Sequence, residues 1–456
     1  MDNKRPARLV WDTAFNEECW QTERSIREIQ KVLINPVFDD QAYFEEIEVP
    51  AKTDNIDNLY YYGNNYDLLC NLAQSEDNNK IDLIYIDPPY MSELDYHSNI
   101  SIGNDSHIQQ INRDAFQDRW PLGLDSYLDM MYCRLKLMRQ VLADTGSIFV
   151  HVDWHASHYV RVLLDEIFGR ENFINEIVWC FSGGSSSRKY FHRKHDLIFW
   201  YAQSSNYVYN PQHRPYTQGT IQRGLTNVKG DRYKLHEEGA LMQDWWVDIN
   251  KILSPTAYEN LKFPTQKPKD LIRRLVASAS KPGDVVADFF AGSGSLAEVC
   301  NEMGRNWILS DNSKLALQTC FYRLIRSGSP AFVIMGDKSH PSENQGGELS
   351  LMKPIVQVVD EKKILVNIGI ENFSPANLDK QTIKGDFADY IEFWEIDPNY
   401  NGEYFNSRYQ VIREKQRYRA SIALNIVFPT TVVSDIKIAV KVWDVWANQT
   451  IAVVSI

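Results

Sequence analysis

An isoleucine-rich run, IDLIYI at 81–86, ends in Asp87-Pro88-Pro89-Tyr90, and this junction constrains the fold more than any other stretch. Apolar character without alternation belongs to a parallel strand covered on both faces, which requires helices above and below it. Two successive prolines cannot extend such a strand, because they lack the N–H that the ladder needs. The chain must turn there, outside the carboxyl end of a strand, where open α/β sheets hold their ligands. Asp82, the charged residue of the run, sits near its start, where a strand end still reaches water.

A second strand–loop–helix unit lies much later. VVADFF (285–290) enters the loop DFFAGSG (288–294), a helix spans 295–303, and NWILSD (306–311) is the next strand, a β-α-β unit of acceptable crossover length. The glycines allow tight curvature and close approach of a ligand, and the helix after Ser295 points its amide end into the same space. That arrangement suits the carboxylate of a methionine moiety and equally a dinucleotide pyrophosphate. Asp311 closes the following strand, where an acid can bind both ribose hydroxyls, and this again fits either ligand. The loop lacks the lysine of a phosphate-binding P-loop, which argues against an ATPase. Asp288, Phe290, Ala291, Gly292, Ser293, Gly294 and Asp311 are therefore candidate cofactor-binding residues, with core packing the plain alternative for Phe290.

Around these units the chain divides in order. Residues 1–58 read as an acidic, mainly helical arm, with ECWQTERSIREIQKVL its most periodic stretch. LYYYGN (59–64), a helix from Asn65, IDLIYI, a long polar loop at 91–124, the helix 126–142 and the strand 147–153 follow. A further helix (155–169) and the strands NEIVWCF and HDLIFWYA complete a catalytic half over 59–202. An irregular, aromatic and polar insert occupies 203–262, and a cofactor-binding half 263–335. A linker is expected at 336–350 and a separate antiparallel β module at 351–456, where apolar and polar residues alternate. At 456 residues the chain is long enough for such a division. It has no run of eighteen apolar residues, so no transmembrane helix is expected, and no apolar core of signal-peptide type at the N-terminus; a cytoplasmic protein is the expectation. Six scattered cysteines make no CxxC pair and no zinc spacing, which suits reduced thiols.

The paired signatures resemble the amino-methyltransferases of DNA in restriction–modification systems, in particular the β-ordered group, where the catalytic motif precedes the cofactor motif. The likeness is nearest to adenine-specific enzymes, including the modification subunits of type III systems. It covers roughly 59–335, because YLDMMYCRLKLMRQVLADTGSIFVHVD (127–153), FHRKHDLIFWYA (191–202) and FPTQKPKDLIRRLV (263–276) look like further family segments. The resemblance implies an S-adenosylmethionine-dependent methyltransferase fold of the α/β class. Its parts would be a seven-stranded, mostly parallel sheet, a small recognition insert and a C-terminal β-rich module. It also implies that Thr265, Gln266, Lys267 and Pro268 border the methionine end of the cofactor. YYGNNYDLL (60–69) is similar to the family's Gly-Asp-Asn strand end, but Asn64 stands at the usual aspartate position. An amide still bonds to the cofactor adenine, with another donor and acceptor pattern. Gly336-Asp337 offers a less favoured acid.

The implied chemistry explains the tetrapeptide. An exocyclic amine is a poor nucleophile because its lone pair is delocalised into the ring. A site that methylates it must accept hydrogen bonds from the NH2 and hold the nitrogen in line with a sulfonium methyl. Asp87 and the Pro88 carbonyl supply two acceptors, Pro89 stiffens the turn, and Tyr90 gives a face for a flipped base. Direct attack by the amine needs no metal and no covalent enzyme–base intermediate. The expected activity is transfer to N6 of adenine in a specific DNA sequence. Transfer to N4 of cytosine is the nearest alternative, and a non-catalytic DNA-binding or assembly subunit with a degenerate site is the alternative of another class.

The expected partner is double-stranded DNA. A net charge of -12 is unusual for a free-standing nucleic-acid binder, but segment 181–262 carries eleven Lys/Arg against seven Asp/Glu. Candidate DNA contacts are Arg188, Lys189, Arg193 and Lys194, then Arg214, Arg223, Arg232 and Lys234. The loop after the catalytic turn adds His97, Arg113, Phe116, Arg119 and Trp120, and Trp245 and Trp246 are candidate wedges or packing residues. The C-terminal module is a candidate DNA contact or homodimer interface. The short insert makes assembly with a restriction subunit doubtful.

Overall fold

The computed structural model of the protein describes residues 9–11, 26–37, 57–75, 81–104, 107–183, 187–224, 235–254, 257–337, 347–361, 363–378, 386–413, 422–429 and 436–456. β1 (Ile26–Val32) and β2 (Pro36–Val37) come first, then β3 (Leu59–Tyr62), α1 (Asn65–Gln74) and β4 (Ile81–Ile86). A hairpin of β5 (Leu94–Asn104) and β6 (His107–Asp118) leads to α2 (Leu124–Val141), β7 (Leu142–Val152), α3 (Ser157–Phe168), β8 (Phe173–Cys180) and β9 (His195–Ala202). Short pieces follow: β10 (His213–Arg214), α4 (Gln218–Gly224), β11 (Ala240–Leu241) and β12 (Trp245–Trp246). The second half runs α5 (Lys269–Ala279), β13 (Val285–Asp288), α6 (Ser295–Glu302), β14 (Asn306–Asp311), α7 (Lys314–Ser327) and β15 (Phe332–Asp337). The C-terminal strands are β16 (Gly347–Leu351), β17 (Ile355–Val358), β18 (Lys363–Pro375), β19 (Ile391–Asp397), β20 (Phe405–Ser407), β21 (Tyr409–Ile412), β22 (Ala423–Pro429), β23 (Lys437–Asp444) and β24 (Gln449–Ser455).

Eleven strands form one sheet in the order β12-β8-β9-β7-β4-β13-β14-β3-β15-β1-β20. The expected seven-stranded sheet is its contiguous middle, β8 to β3, in which only β9 runs against its neighbours. β12 widens one edge, and β15, β1 and β20 widen the other. β4 alternates its side chains between two cores: Leu83 and Tyr85 pack with α5, α6 and α7, while Ile84 and Ile86 pack with α1, α2 and α3. Both faces are thus covered by helices, as the unbroken apolar run requires. β4 and β13 lie side by side and parallel, with Val286 opposite Leu83 and Ala287 opposite Ile84. The crossover after β4 uses α2 on one face and that after β13 uses α6 on the other, so the two carboxyl ends open at a topological switch point.

Three expectations are corrected. The described part of the N-terminal arm is extended, not helical: β1 pairs antiparallel with β15 and parallel with β20. Helical periodicity in IREIQKV yields to the two strands that template it, with Gln30 and Val32 turned inward. The other arm residues, 1–8, 12–25 and 38–56, lie outside the described residues. The polar loop at 91–124 is a hairpin whose Ile102 and Ile111 enter the core of the C-terminal strands. Finally, the C-terminal strands are joined to the catalytic half. They form two sheets over a shared core, but β20 belongs to the large sheet and β2 pairs with β21. Phe393 and Trp443 face the other way, 5.2 and 5.9 Å from Phe321 of α7.

Candidate active site

The two turns expected to carry chemistry meet in one cavity of about 560 Å³. Its walls include Asp87, Pro88, Pro89 and Tyr90 from the end of β4, and Asp288 and Phe290 to Ser293 from the end of β13. Asn64, Thr265, Gln266, Lys267 and Asp311 complete the set. Gly294 is the cofactor-loop candidate that does not line it. This glycine caps α6 with φ 71°, and a Cβ there would collide with Sγ of Cys320.

Each wall has a local cause. β13 stops where Asp288 Oδ1 accepts the Phe290 N–H at 2.9 Å, which curls the loop. Asp311 Oδ2 accepts Gly292 N–H and its Oδ1 accepts Ser313 N–H, both at 2.9 Å, so this carboxylate ties the end of β14 to the loop. Arg323 of α7, 3% exposed, clamps the loop from behind by donating to the Ser293 carbonyl at 2.7 Å and pairing with Glu298. Burial pushes the Asp288 carboxyl well above the usual carboxylate range, with Asp87 and Asp311 adding to it; burial likewise raises Asp311. A ligand that brings hydrogen-bond donors relieves both.

At the turn after β4, one Asp87 oxygen accepts the Tyr90 hydroxyl and the other pairs with the Lys267 ammonium. The Lys267 ammonium also lies 5.4 Å from the Tyr90 ring centre. Burial, then the Asp87 charge, raises the Tyr90 phenol, which keeps it a neutral donor. Below, Tyr85 Oη sits 3.0 Å from Nδ1 of the fully buried His151, whose Nε2 faces Asp196 at 3.3 Å. Asn64 caps α1, its side-chain oxygen accepting Tyr66 N–H at 3.1 Å and Arg134 Nη2 at 2.8 Å. Gln266 faces the loop as well as the cavity, since its amide donates to Glu259 and accepts from Leu261 N–H.

Arg134, Asn65, Phe263, Asp118 and Arg323 went unremarked in the sequence. The first four line the cavity and Arg323 braces it, and none carries a local signature outside its fold.

The candidate DNA contacts separate. Arg113 is corrected: it is 6% exposed, donates to Ser98 Oγ at 2.9 Å and to the Val445 carbonyl, and so anchors the hairpin to the C-terminal strands. Arg119 lines the cavity and pairs with Asp95 at 2.7 Å. Arg188, Lys189 and Arg193 are exposed and Lys194 is half-buried. Arg193 stacks on Trp154 at 3.8 Å and on Tyr190 at 5.0 Å, beside the fully exposed Phe191, a basic and aromatic surface whose rings sequence reading passed over. Arg214 is tied to Gln243 within the insert. Arg232 and Lys234 lie outside the described residues, as does the side chain of Arg223. Trp246 is buried under the Arg274 guanidinium, whereas Trp245 is half-exposed. His213, His236 and Glu238, a trio with metal-ligand chemistry, sit in the insert and share no residue with the cavity. Among the described residues no helix is long and apolar enough to cross a membrane.

Comparison with known proteins places these features in a group. A model described as DNA methylase matches residues 81–320. The type II methyltransferase M.EcaI of Enterobacter cloacae is 28% identical over 333 residues, covering 60% of this chain and 70% of that protein. The Mod subunit of the type III restriction-modification enzyme StyLTI of Salmonella typhimurium is 32% identical over 144 residues, 28% of this chain and 21% of the subunit. The crystal structure of an M1.HpyAVI–SAM complex aligns with 58% of this chain and 98% of its own, at 18% identity and a TM-score of 0.38.

Proposed function

The chain belongs to the DNA methylase family, and on that footing we propose that it methylates N6 of adenine in a specific DNA sequence. Methyl transfer to DNA from S-adenosylmethionine is the activity of the family. The donor set of the cavity fits that cofactor. Two buried carboxyls raised by burial, Asp288 and Asp311, face a space where an ammonium group and a ribose diol would satisfy them. When bound, the cofactor supplies an electrophilic methyl on sulfur.

The remaining work falls to this chain. The observation that carries the adenine reading is the Asp87 carboxylate at the junction of the two turns, flanked by Lys267 and Tyr90. Lys267 keeps one oxygen occupied. A target amino group entering beside Pro88 takes the place of the Tyr90 hydroxyl as donor to the other oxygen, while the Pro88 carbonyl accepts its second N–H. Both bonds draw the nitrogen lone pair out of the ring and aim it. After transfer the nitrogen carries one proton too many, and the Asp87 carboxylate accepts it. A carboxylate at this position, in place of the serine of cytosine-directed variants, supports adenine. The base must be extruded to reach the cavity, and Tyr90 with Phe116 and Tyr96 offers aromatic faces to receive it.

The test is transfer of tritiated methyl groups to unmethylated genomic DNA followed by nucleoside analysis. Label in N6-methyladenine is the expected result. Label in N4-methylcytosine overturns the base assignment, and no label from a preparation that binds the cofactor overturns the activity.

A further inference from the structure

Past the catalytic tetrapeptide the backbone takes a conformation that non-glycine residues rarely hold. Met91 has φ 62° and Glu93 has φ 58°, both in the left-handed region. Such a turn persists only where its surroundings over-determine it.

One side chain does so. Asp118, at the end of β6, is 1% exposed. Its Oδ2 accepts the backbone N–H of Tyr90 at 3.1 Å and of Ser92 at 2.8 Å, and the Ser92 hydroxyl at 2.7 Å. Its Oδ1 accepts Met91 N–H at 3.0 Å and the Trp120 indole at 2.9 Å. Three consecutive amides converging on one anion make a nest, built here around a side chain of the same protein. The first of those amides belongs to Tyr90. Fixing it fixes the peptide that follows Pro89, and with it the ring and the aim of the Asp87–Pro88 acceptor pair.

From this geometry we infer that Asp118 is the positioning residue of the catalytic turn. The inference rests on the reading that 87–90 receives the target amine. Asp118 touches neither substrate nor cofactor in this role and acts through the backbone of 90–92. Because it arrives on the hairpin, the turn is set only when the hairpin is seated. Seating comes from Arg113 on Val445, from Ser313 Oγ donating to the Ala115 carbonyl at 2.7 Å, and from Ile102 and Ile111 in the C-terminal core.

Asp118→Asn in the full chain tests it. An amide keeps one acceptor and turns two donors toward backbone N–H groups, so the turn loses its hold. Methyl transfer to genomic DNA should fall about 100-fold in kcat, the scale on which misplacement of a reacting group costs rate. Cofactor Kd and DNA KM should stay near wild type. Amide hydrogen exchange in a peptide covering 89–93 should speed up while exchange in β4 and β13 is unchanged. Ser92→Ala removes one donor without touching the core and should lower kcat about threefold, carrying the test should Asp118→Asn not fold. A kcat near wild type with unchanged exchange at 89–93 overturns the inference. So does a loss in which kcat, cofactor affinity and melting temperature decline together. Asp87→Ala in the same assay separates the two readings: if it stays active the catalytic reading fails, and if it is dead while Asp118→Asn is active only the present inference fails.

Discussion

Asp87 and Asp288 lie at the ends of adjacent strands but carry opposite expectations on substitution. Asp87→Ala should keep cofactor binding and abolish methyl transfer, read by calorimetry and by label incorporation. Asp288→Asn should do something less obvious. A buried acid whose folded pKa is raised binds its proton more tightly folded than unfolded. The stability it contributes is present at acid pH and lost as pH rises through the folded value. At neutral pH the ligand-free protein bears that cost, so Asp288→Asn should raise the melting temperature by a few degrees while weakening cofactor binding by at least about tenfold. Asp311 is raised for the same reason. If its ionised form binds the ribose, cofactor affinity should fall with decreasing pH before an ordinary aspartate, near about 3.9, would be protonated. Titration calorimetry across the mildly acidic range checks this, and Asp311→Asn should flatten the dependence.

At the scale of elements the hairpin of β5 and β6 carries the sharpest contrast. Arg113 had the look of a phosphate contact and is a buried anchor, so Arg113→Met should leave the salt dependence of DNA affinity unchanged. Arg188→Ala or Arg193→Ala should reduce the slope of log K against log salt by about 1 each, measured by fluorescence anisotropy. Gly294→Ala should cost about 1–3 kcal/mol, because the added methyl meets Cys320 at a φ of 71° and shifts the cofactor loop. IDLIYI and VVADFF announce themselves because a strand buried on both faces is apolar throughout, and the turns that end them are made of prolines or glycines. The hairpin stayed hidden because its inward residues are mixed, Ser98, Ile102, Ile111, Arg113 and Asp118, and the partners of Ile102, Ile111 and Arg113 lie far along the chain. β1 stayed hidden because both strands that template it come from the second half of the sequence. Asp118 has no sequence signal, since its importance lies in three amides that only the folded turn brings together.

At the scale of the whole molecule, the large sheet and the C-terminal strands share structure on several counts. Phe393 and Trp443 pack against Phe321, and Gln318 Nε2 donates to the Asp444 carbonyl at 2.7 Å. On the same face Gln30 of β1 donates to Glu395 at 2.7 Å and accepts from Lys441 at 2.9 Å, a buried polar set in which Trp443 also takes part. Trp443→Ala should therefore cost about 3–5 kcal/mol and lower the stability of the cofactor site along with that of the C-terminal strands, as one cooperative thermal transition followed by both cofactor binding and circular dichroism.

The parallel pairing of β1 with β20 has a consequence in time. A ribosome delivers residues 26–32 long before residues 405–407, so the outer edge of the large sheet stays open while the stretch between them is made. The Arg113 anchor waits equally long, because the Val445 carbonyl it grips emerges later still. Chains whose synthesis stops early would carry both signature turns and yet lack the support of the wall over them. The sheet edge and the hairpin over the two turns are therefore completed only after the turns themselves have been made.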